Sequence, residues 1–493
     1  MKKSILKIFA VLALVGGVSS CGNGYLETDY SRGIDIDTGL NSVATIGTAL
    51  NGTYYRLFYY GFAGNYAISI GDVPTDLTYW NSKTGHWDKL YQYTHVDTDS
   101  YLSGIWNYGY KVVDNSARII KAAKEMYEGA TENEQAELDL YLAEAYALRG
   151  YASLMLTNIF GHQIKVAGQD FSNELGIVVV DEPVAAYAEV QRSTVGQSYA
   201  AILSDFQDAL THFAAAGGDR GDLNYFNVAA VQGLMARTYL YMENWGAAKK
   251  SAADALETAG ITSLAYTASD YAALYASGVS NNESFFALAI DSNNNWSANS
   301  CGTLWSTYNF SPSPKLLAMY GENDVRNAIF EWDALSTPDV PIFKAGKFAH
   351  KSSGNSAYGT NYIVNAPEMF LIIAEAEAQS NTDMTPAQEA LLTVAKRNTD
   401  ITSVDDLPST KEEILSFIQD ERARELFQEG LRLYDLRRWG VKASVTAYKA
   451  PAVDFTFNNY EISSLVYPIP ASEINAGYGV VQNDTWSSVR PKR

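Results

Sequence analysis

The sequence predicts a mainly α-helical protein built from tetratricopeptide-like hairpins, with a loop-rich half set against them. Three observations carry this expectation. Leu142, Ala145, Leu148, Ala152 and Met155 recur at three- and four-residue steps across 138–160, the period of a helix that buries one face. Ala236, Tyr239, Trp245, Ala248 and Ala255 hold the small and aromatic positions of a helical hairpin over 227–259. Small residues there let two helices approach, and aromatics fill the groove. Residues 271–365, by contrast, are interrupted by SNNE, DSNNNWSANSCG, SPSP and KSSGNSAYG, which are turn clusters.

Taken in order, residues 1–20 have the form of a secretory signal. Lys2, Lys3 and Lys7 make its basic start and Ile8 to Val15 its apolar core, too short to span a membrane. V-S-S-C then places small residues before Cys21. The next residues, to Thr38, read as a polar tether. An amphipathic helix is expected over 42–60 with Ile46, Leu50 and Leu57 inward, and another over 105–127 with Val112, Ile119 and Ala123 on one side. Between them, 61–98 is loop-like and rich in aromatics. Gly161 ends the 138–160 helix, 162–190 is extended, and Ser193 is expected to cap a helix running to Phe213. A second hairpin with a longer loop is expected over 371–378 and 386–397. Such units need neighbours to bury their faces, so 42–60 with 105–127 and 138–160 with 194–213 are candidates for further pairs.

The run KEEILSFIQDERARELFQEGLRLYDLRRWG, residues 411–440, is unusual. Leu415, Ile418 and Leu426 mark an inward helical face, and Arg422 falls on it. An unpaired buried charge costs several kcal/mol, so Arg422 needs a partner. Glu425 and Glu429 are within helical reach. Gly430 is a plausible left-handed cap, and Leu433, Leu436 and Trp439 suggest a second short helix.

Composition bounds the function. The 493 residues carry a net charge of −20, which becomes −23 without Lys2, Lys3 and Lys7. That excludes nucleic acid and electrostatic attachment to anionic lipid. Only Cys21 and Cys301 are present, so if Cys21 carries a lipid Cys301 is alone and no disulfide framework is possible. His86 and His95 match no trusted metal spacing, no phosphate-cradling glycine pattern occurs, and no carboxylate pair or nucleophile is singled out. No cofactor, metal or catalytic residue is expected.

E-R-A-R-E-L-F-x-E-G-x-R-x-x-D-L-R-R-W-G (421–440) resembles the C-terminal signature of the SusD/RagB family of surface nutrient-binding lipoproteins. R-S-T-V-x-x-x-Y-x-x-I-x-x-D-F (192–206), Y-P-I-P-x-S-E-I-N-A (467–476) and Tyr25-Leu26-Glu27 are similar to family segments, and V-S-S-C resembles a lipobox with Val18 in place of the usual leucine. The resemblance implies a single mainly α domain over 21–493. Four irregular tetratricopeptide hairpins would form one side, and a loop-rich half with short strands the other, its insertions near 61–104 and 271–365. It implies lipidation at Cys21, an outer-membrane location facing the cell exterior, and delivery of glycan to a SusC-like TonB-dependent transporter without catalysis. A peptide-binding RagB-like role and a surface glycan hydrolase are the alternatives.

The family pattern does not fix ligand residues, so these come from the chain itself. Sugar rings offer an apolar face to flat side chains, while Asp and Asn satisfy hydroxyls. Trp80 and Trp296 lie beside polar turn residues. With Asp76, Asn81, Trp87 and Trp305 they are the expected ligand set, the 76–91 and 293–308 loops converging on one shallow site.

Overall fold

The computed structural model describes residues 39–489 apart from 277, 279–280, 309, 339, 350–352, 447–455 and 462–463. The signal and Cys21 therefore lie outside the described residues. The helical frame comprises α1 (Val43–Phe58), α2 (Ser100–Tyr127), α3 (Glu132–Phe160), α4 (Val195–Ala216), α5 (Val228–Tyr241), α6 (Trp245–Ala259), α7 (Ala366–Ser380), α8 (Thr385–Ala395) and α9 (Lys411–Glu425). Each packs on its chain neighbour from α1 through α8, and α9 closes against α7 and α8. This is the stacked order of repeated helical hairpins.

Local chemistry sets the starts. Ser42 with Thr45, Thr131 with Glu134, and Thr194 with Gln197 form capping boxes on α1, α3 and α4, each contributing about 1 kcal/mol. The cap of α4 is thus Thr194, one residue beyond the expected Ser193. Ser193 is used otherwise: its N–H donates to Ile177 O and its carbonyl accepts from Gly176 N. Helix α2 starts earlier than its apolar period suggests, because Asp99 Oδ1 accepts from the Tyr101 and Leu102 N–H groups.

Strands are short: β1 (Thr78–Trp80), β2 (Lys165–Val166), β3 (Gln169–Asp170), β4 (Ser284–Leu288), β5 (Phe310–Pro312), β6 (Asn361–Asn365), β7 (Lys442–Thr446) and β8 (Thr456–Glu461). They form four antiparallel pairs, β1–β5, β2–β3, β4–β6 and β7–β8. Two of these pairs, β1–β5 and β4–β6, close the loop-rich half across long stretches of chain.

The 411–440 run joins the two halves. Arg422 is buried as expected, but its partner is Asp435 (Nε to Oδ2, 2.7 Å), not Glu425 or Glu429. Glu425 instead accepts from Arg326 (3.0 Å) and Arg397 (3.1 Å), and Glu429 from Lys347 (2.6 Å). Arg438 pairs with Glu375 on α7 and with Asp435, and Arg237 on α5 with Glu368 on α7. Leu415 is only half-buried; Ile414 takes the inward position. Helix α9 ends at Glu425 with Leu426 as its cap, so Gly430 is not that cap. Gly430 (φ +75°) serves a close approach instead: a β-carbon there would meet Ile68 O, and one on Gly71 would overlap the Gly430 carbonyl. The second short helix is α10 (Arg432–Arg438).

Candidate functional site

Pairing of β1 with β5 brings the two loops together, Thr78 opposite Pro312 and Trp80 opposite Phe310. Thr84 Oγ1 donates to Tyr308 O at 3.3 Å, and His86 stacks on Tyr308 with ring centroids 3.7 Å apart. This pairing also buries most of the side chains expected to face ligand. Trp80 is buried, its Nε1 donating to Thr84 O. Asn81 is buried, its Nδ2 donating to Pro341 O at 3.0 Å. Trp305 is buried edge-on against Phe427. Asp76 is held by both arms of Arg432 at 3.0 Å and by Lys315. Burial pushes its carboxyl up, but these two cations outweigh that and hold it well below the usual carboxylate range. Trp80 and Asn81 are covered because a strand pair runs where sequence alone shows only turn chemistry, Trp305 because it lies on a short helix (Cys301–Ser306) packed against Phe427, and Asp76 because Arg432 of the 421–440 run reaches it.

Of the expected set, Trp296 keeps part of its side chain at the surface, whereas Trp87 is buried like the other four and is reached only through Tyr101 stacked on it. Trp296 is half-buried, its Nε1 donating to Phe58 O at 2.8 Å. Around it stand Tyr55 (5.8 Å), Tyr59 (4.9 Å) and Tyr60 (5.6 Å) from the end of α1 and just beyond. The rings continue from Tyr60 to Tyr66 (5.5 Å), Tyr66 to Tyr101 (4.9 Å), and Tyr101 onto Trp87 (4.5 Å, interplanar angle 27°). Trp87 is the buried floor of this band. Tyr108 stacks on Tyr59 at 4.0 Å with Lys111 above it at 4.4 Å. Beside Tyr308 lies a polar depression of about 530 Å³, with Ser306, Thr307, Glu331, Asp333, Lys344 and Ser356 in its wall.

Three phenols of the band, Tyr59, Tyr66 and Tyr101, are held neutral. Hydrogen bonds with Tyr108 and Tyr60 raise the Tyr59 hydroxyl pKa, and burial raises those of Tyr66 and Tyr101. Each therefore keeps a proton to donate and lone pairs to accept. The surface offers ring faces and uncharged hydroxyls, a combination for a neutral polyol with an apolar face. The tyrosines were missed from sequence, although a signal exists. Tyr55 lies on the polar side of α1 with Tyr59 just past its end, while Tyr101 and Tyr108 are seven apart on α2. Outward aromatics on amphipathic helices are the pattern to seek. Among the described residues, no group of three His, Cys, Asp or Glu could hold a metal ion, and no helix is long and apolar enough to cross a membrane. Cys301 is buried, which pushes its thiol up to about 12.

Two family models match the chain, one described as the SusD family over 342–486 and one as "Starch-binding associating with outer membrane" over 32–240. The chain belongs to the SusD/RagB family. A SusD superfamily protein of Bacteroides thetaiotaomicron VPI-5482 superposes with a TM-score of 0.77 at 22% identity, over 90% of this chain and 99% of that one. A SusD-like carbohydrate binding protein of Bacteroides vulgatus ATCC 8482 gives 0.72 at 19%, over 92% and 99%. A SusD superfamily protein of Bacteroides fragilis gives 0.72 at 21%, over 90% and 99%. At these identities the likeness establishes the SusD fold, the helical frame and short strands described above. None of the curated proteins compared with the chain matched it.

Proposed function

We propose that this SusD-family protein captures an oligo- or polysaccharide at the outer membrane and delivers it, unaltered, to a SusC-like TonB-dependent transporter. A lipid on Cys21 would anchor it facing the cell exterior, with 1–20 removed and 21–493 folding as a single domain. The observation that carries the reading is the continuous uncharged ring surface from Tyr55 through Trp296 to Tyr101. Matched family names point the same way, one to starch binding at the outer membrane and one neighbour to carbohydrate. The retained ligand residue is Trp296; Trp87, buried beneath Tyr101, supports the ring surface without facing ligand.

The test is a soluble glycan array on protein lacking residues 1–21, followed by titration of the best glycan. A stacking ring contributes about 1 kcal/mol beyond area burial, so Tyr55→Ala and Trp296→Ala should each weaken binding about fivefold or more. Tyr55 is 51% exposed, so its variant should melt with the parent. No glycan binding across the array, or undiminished affinity in both variants, would move the site elsewhere. Shortening of the bound glycan by pure protein would favour the hydrolase reading.

A further inference from the structure

Beyond the ring surface, α1 and α2 line a groove of about 380 Å³, within the ~300–1,000 Å³ of small-ligand clefts. The groove continues that surface, because Tyr55 stands in its wall and also lies 5.8 Å from Trp296. The rest of the wall differs from the rings. Arg56, in the last turn of α1, shares it with Asn115 and Arg118 of α2. Arg56 is exposed, and among the described residues no hydrogen bond or ion pair engages its guanidinium; the Asn115 amide is likewise unengaged. Arg118 gives Nε to Asp114 at 2.8 Å and Nη2 to Val184 O at 3.1 Å, which leaves Nη1 without a partner among the described residues. On α2, Tyr101, Tyr108 and Asn115 follow at seven-residue steps, as do Lys111 and Arg118, so rings and cations share one helix face. Lys111 joins the two, its Nζ lying 4.4 Å from the centre of the Tyr108 ring.

Charge identifies what the groove takes. Helix α1 contains no acid. The acids nearest on other elements have partners: Asp114 holds Arg118, Glu182 faces Lys121 at 3.8 Å, and Glu473 accepts from Trp106 Nε1 at 3.1 Å in the neighbouring groove, whose wall also holds Lys111. Asp35 and Asp37 precede Leu40 of the groove wall in sequence and lie outside the described residues. Among the described residues, then, Arg56 and Lys111 have no carboxylate partner. The chain as a whole carries −20, but exposed charges more than about 8 Å apart are largely screened at physiological salt, so the cations at the groove decide its preference. A cation in a last helical turn also offsets the helix dipole. That accounts for Arg56 but not for Arg118 and the open Asn115 amide in the same wall.

We infer that this groove binds the carboxylate or sulfate of an acidic sugar, and that the captured glycan is an anionic polysaccharide whose apolar ring faces lie on the tyrosines. Two guanidiniums and an amide form a donor set for an oxyanion, with hydrogen bonds strengthened by charge. The inference rests on the glycan-capture reading above and names the substrate class for that surface.

The test measures affinity, on the chain lacking residues 1–21, for two matched pairs of probes: polygalacturonate against its methyl ester, and dextran sulfate against dextran. The charged member of at least one pair should bind about tenfold or more tightly than its neutral partner, and the pair that responds assigns carboxylate or sulfate. Arg56→Gln and Arg118→Gln should each lower that affinity about fivefold or more. Arg56 has no hydrogen bond or ion pair to lose, so its variant should melt with the parent even if Arg118→Gln, by freeing Asp114, does not. Lys250→Gln, which removes an exposed cation on α6, should leave the affinity unchanged. Equal binding of both members of each pair, undiminished affinity in both arginine variants, or an equal loss in Lys250→Gln would overturn the anionic site and leave glycan capture standing. If none of the four probes binds, the glycan array decides. An acidic glycan lost in Arg56→Gln would support the inference, a neutral glycan as best ligand would overturn the anionic site alone, and silence across the array would overturn glycan capture and this inference together.

Discussion

At the scale of single residues, the protein separates groups that look alike in sequence. Asp72 and Asp76 lie in one polar turn. Asp76 is paired with Arg432 and Lys315, whereas Asp72 Oδ2 accepts from the Gly430 N–H at 2.8 Å and its Oδ1 has no hydrogen-bond partner. Burial dominates and pushes the Asp72 carboxyl up to about 7, against the hydrogen bonds from the Gly430 and Arg432 N–H groups. The folded state thus holds this proton more tightly than the unfolded chain, whose aspartates titrate near ~4. The stabilisation is complete below about pH 4, falls as pH rises, and is gone above about pH 7. Asp72→Asn removes the titration while keeping the shape. Its melting temperature relative to wild type should therefore rise between about pH 4 and pH 8. A constant difference across that range would show that Asp72 titrates normally. The tryptophans separate in the same way. Trp80 and Trp296 have similar polar neighbours in sequence, yet β-pairing buries the first and the end of α1 leaves the second half-exposed.

At the scale of elements, the 421–438 stretch holds the helical frame to the loop-rich half. Asp435 lies between Arg422 (2.7 Å) and Arg438 (2.8 Å), all buried. Asp435→Ala would leave two guanidiniums short of a counter-ion, and breaking one side of a buried pair costs about 3–5 kcal/mol. Urea unfolding should show a loss of that size. Asp254→Ala, which breaks the exposed Lys250–Asp254 pair on α6, should cost under about 0.5 kcal/mol. Equal losses would mean that the buried pairs do not hold the halves together. Helix interiors were legible in sequence because a 3.6-residue period is local. Their starts were less so: Asp99 begins α2 through a cap that no apolar period announces, and Thr194 displaces Ser193 only because Ser193 is needed by the Gly176–Ile177 backbone.

At the scale of the whole molecule, a helical frame and a loop-rich half share one large core, with a smaller cluster around Tyr271 and Tyr275, and no helix among the described residues is long and apolar enough to cross a membrane. If Cys21 carries the lipid, Cys21→Ala should move the chain from the outer-membrane fraction to the soluble fraction, since stable anchoring needs two or more acyl chains. An Ala variant that still pellets with outer membranes would sink that assignment. The sequence by itself determined the mainly α frame, the hairpin at 227–259 and the family, because apolar period, small residues at helix crossings and a charged signature are each written in contiguous residues. Only the tertiary structure decided which charges pair and which rings face water. Arg432 meets Asp76 across 356 residues and Arg326 meets Glu425 across 99. Exposure is likewise a property of what packs over a side chain, so Trp305 vanished beneath Phe427 while Tyr55 and Tyr59 emerged as the ring surface. Local sequence carries the period of an element, but burial and ion pairing arise from residues that meet only when the chain has folded.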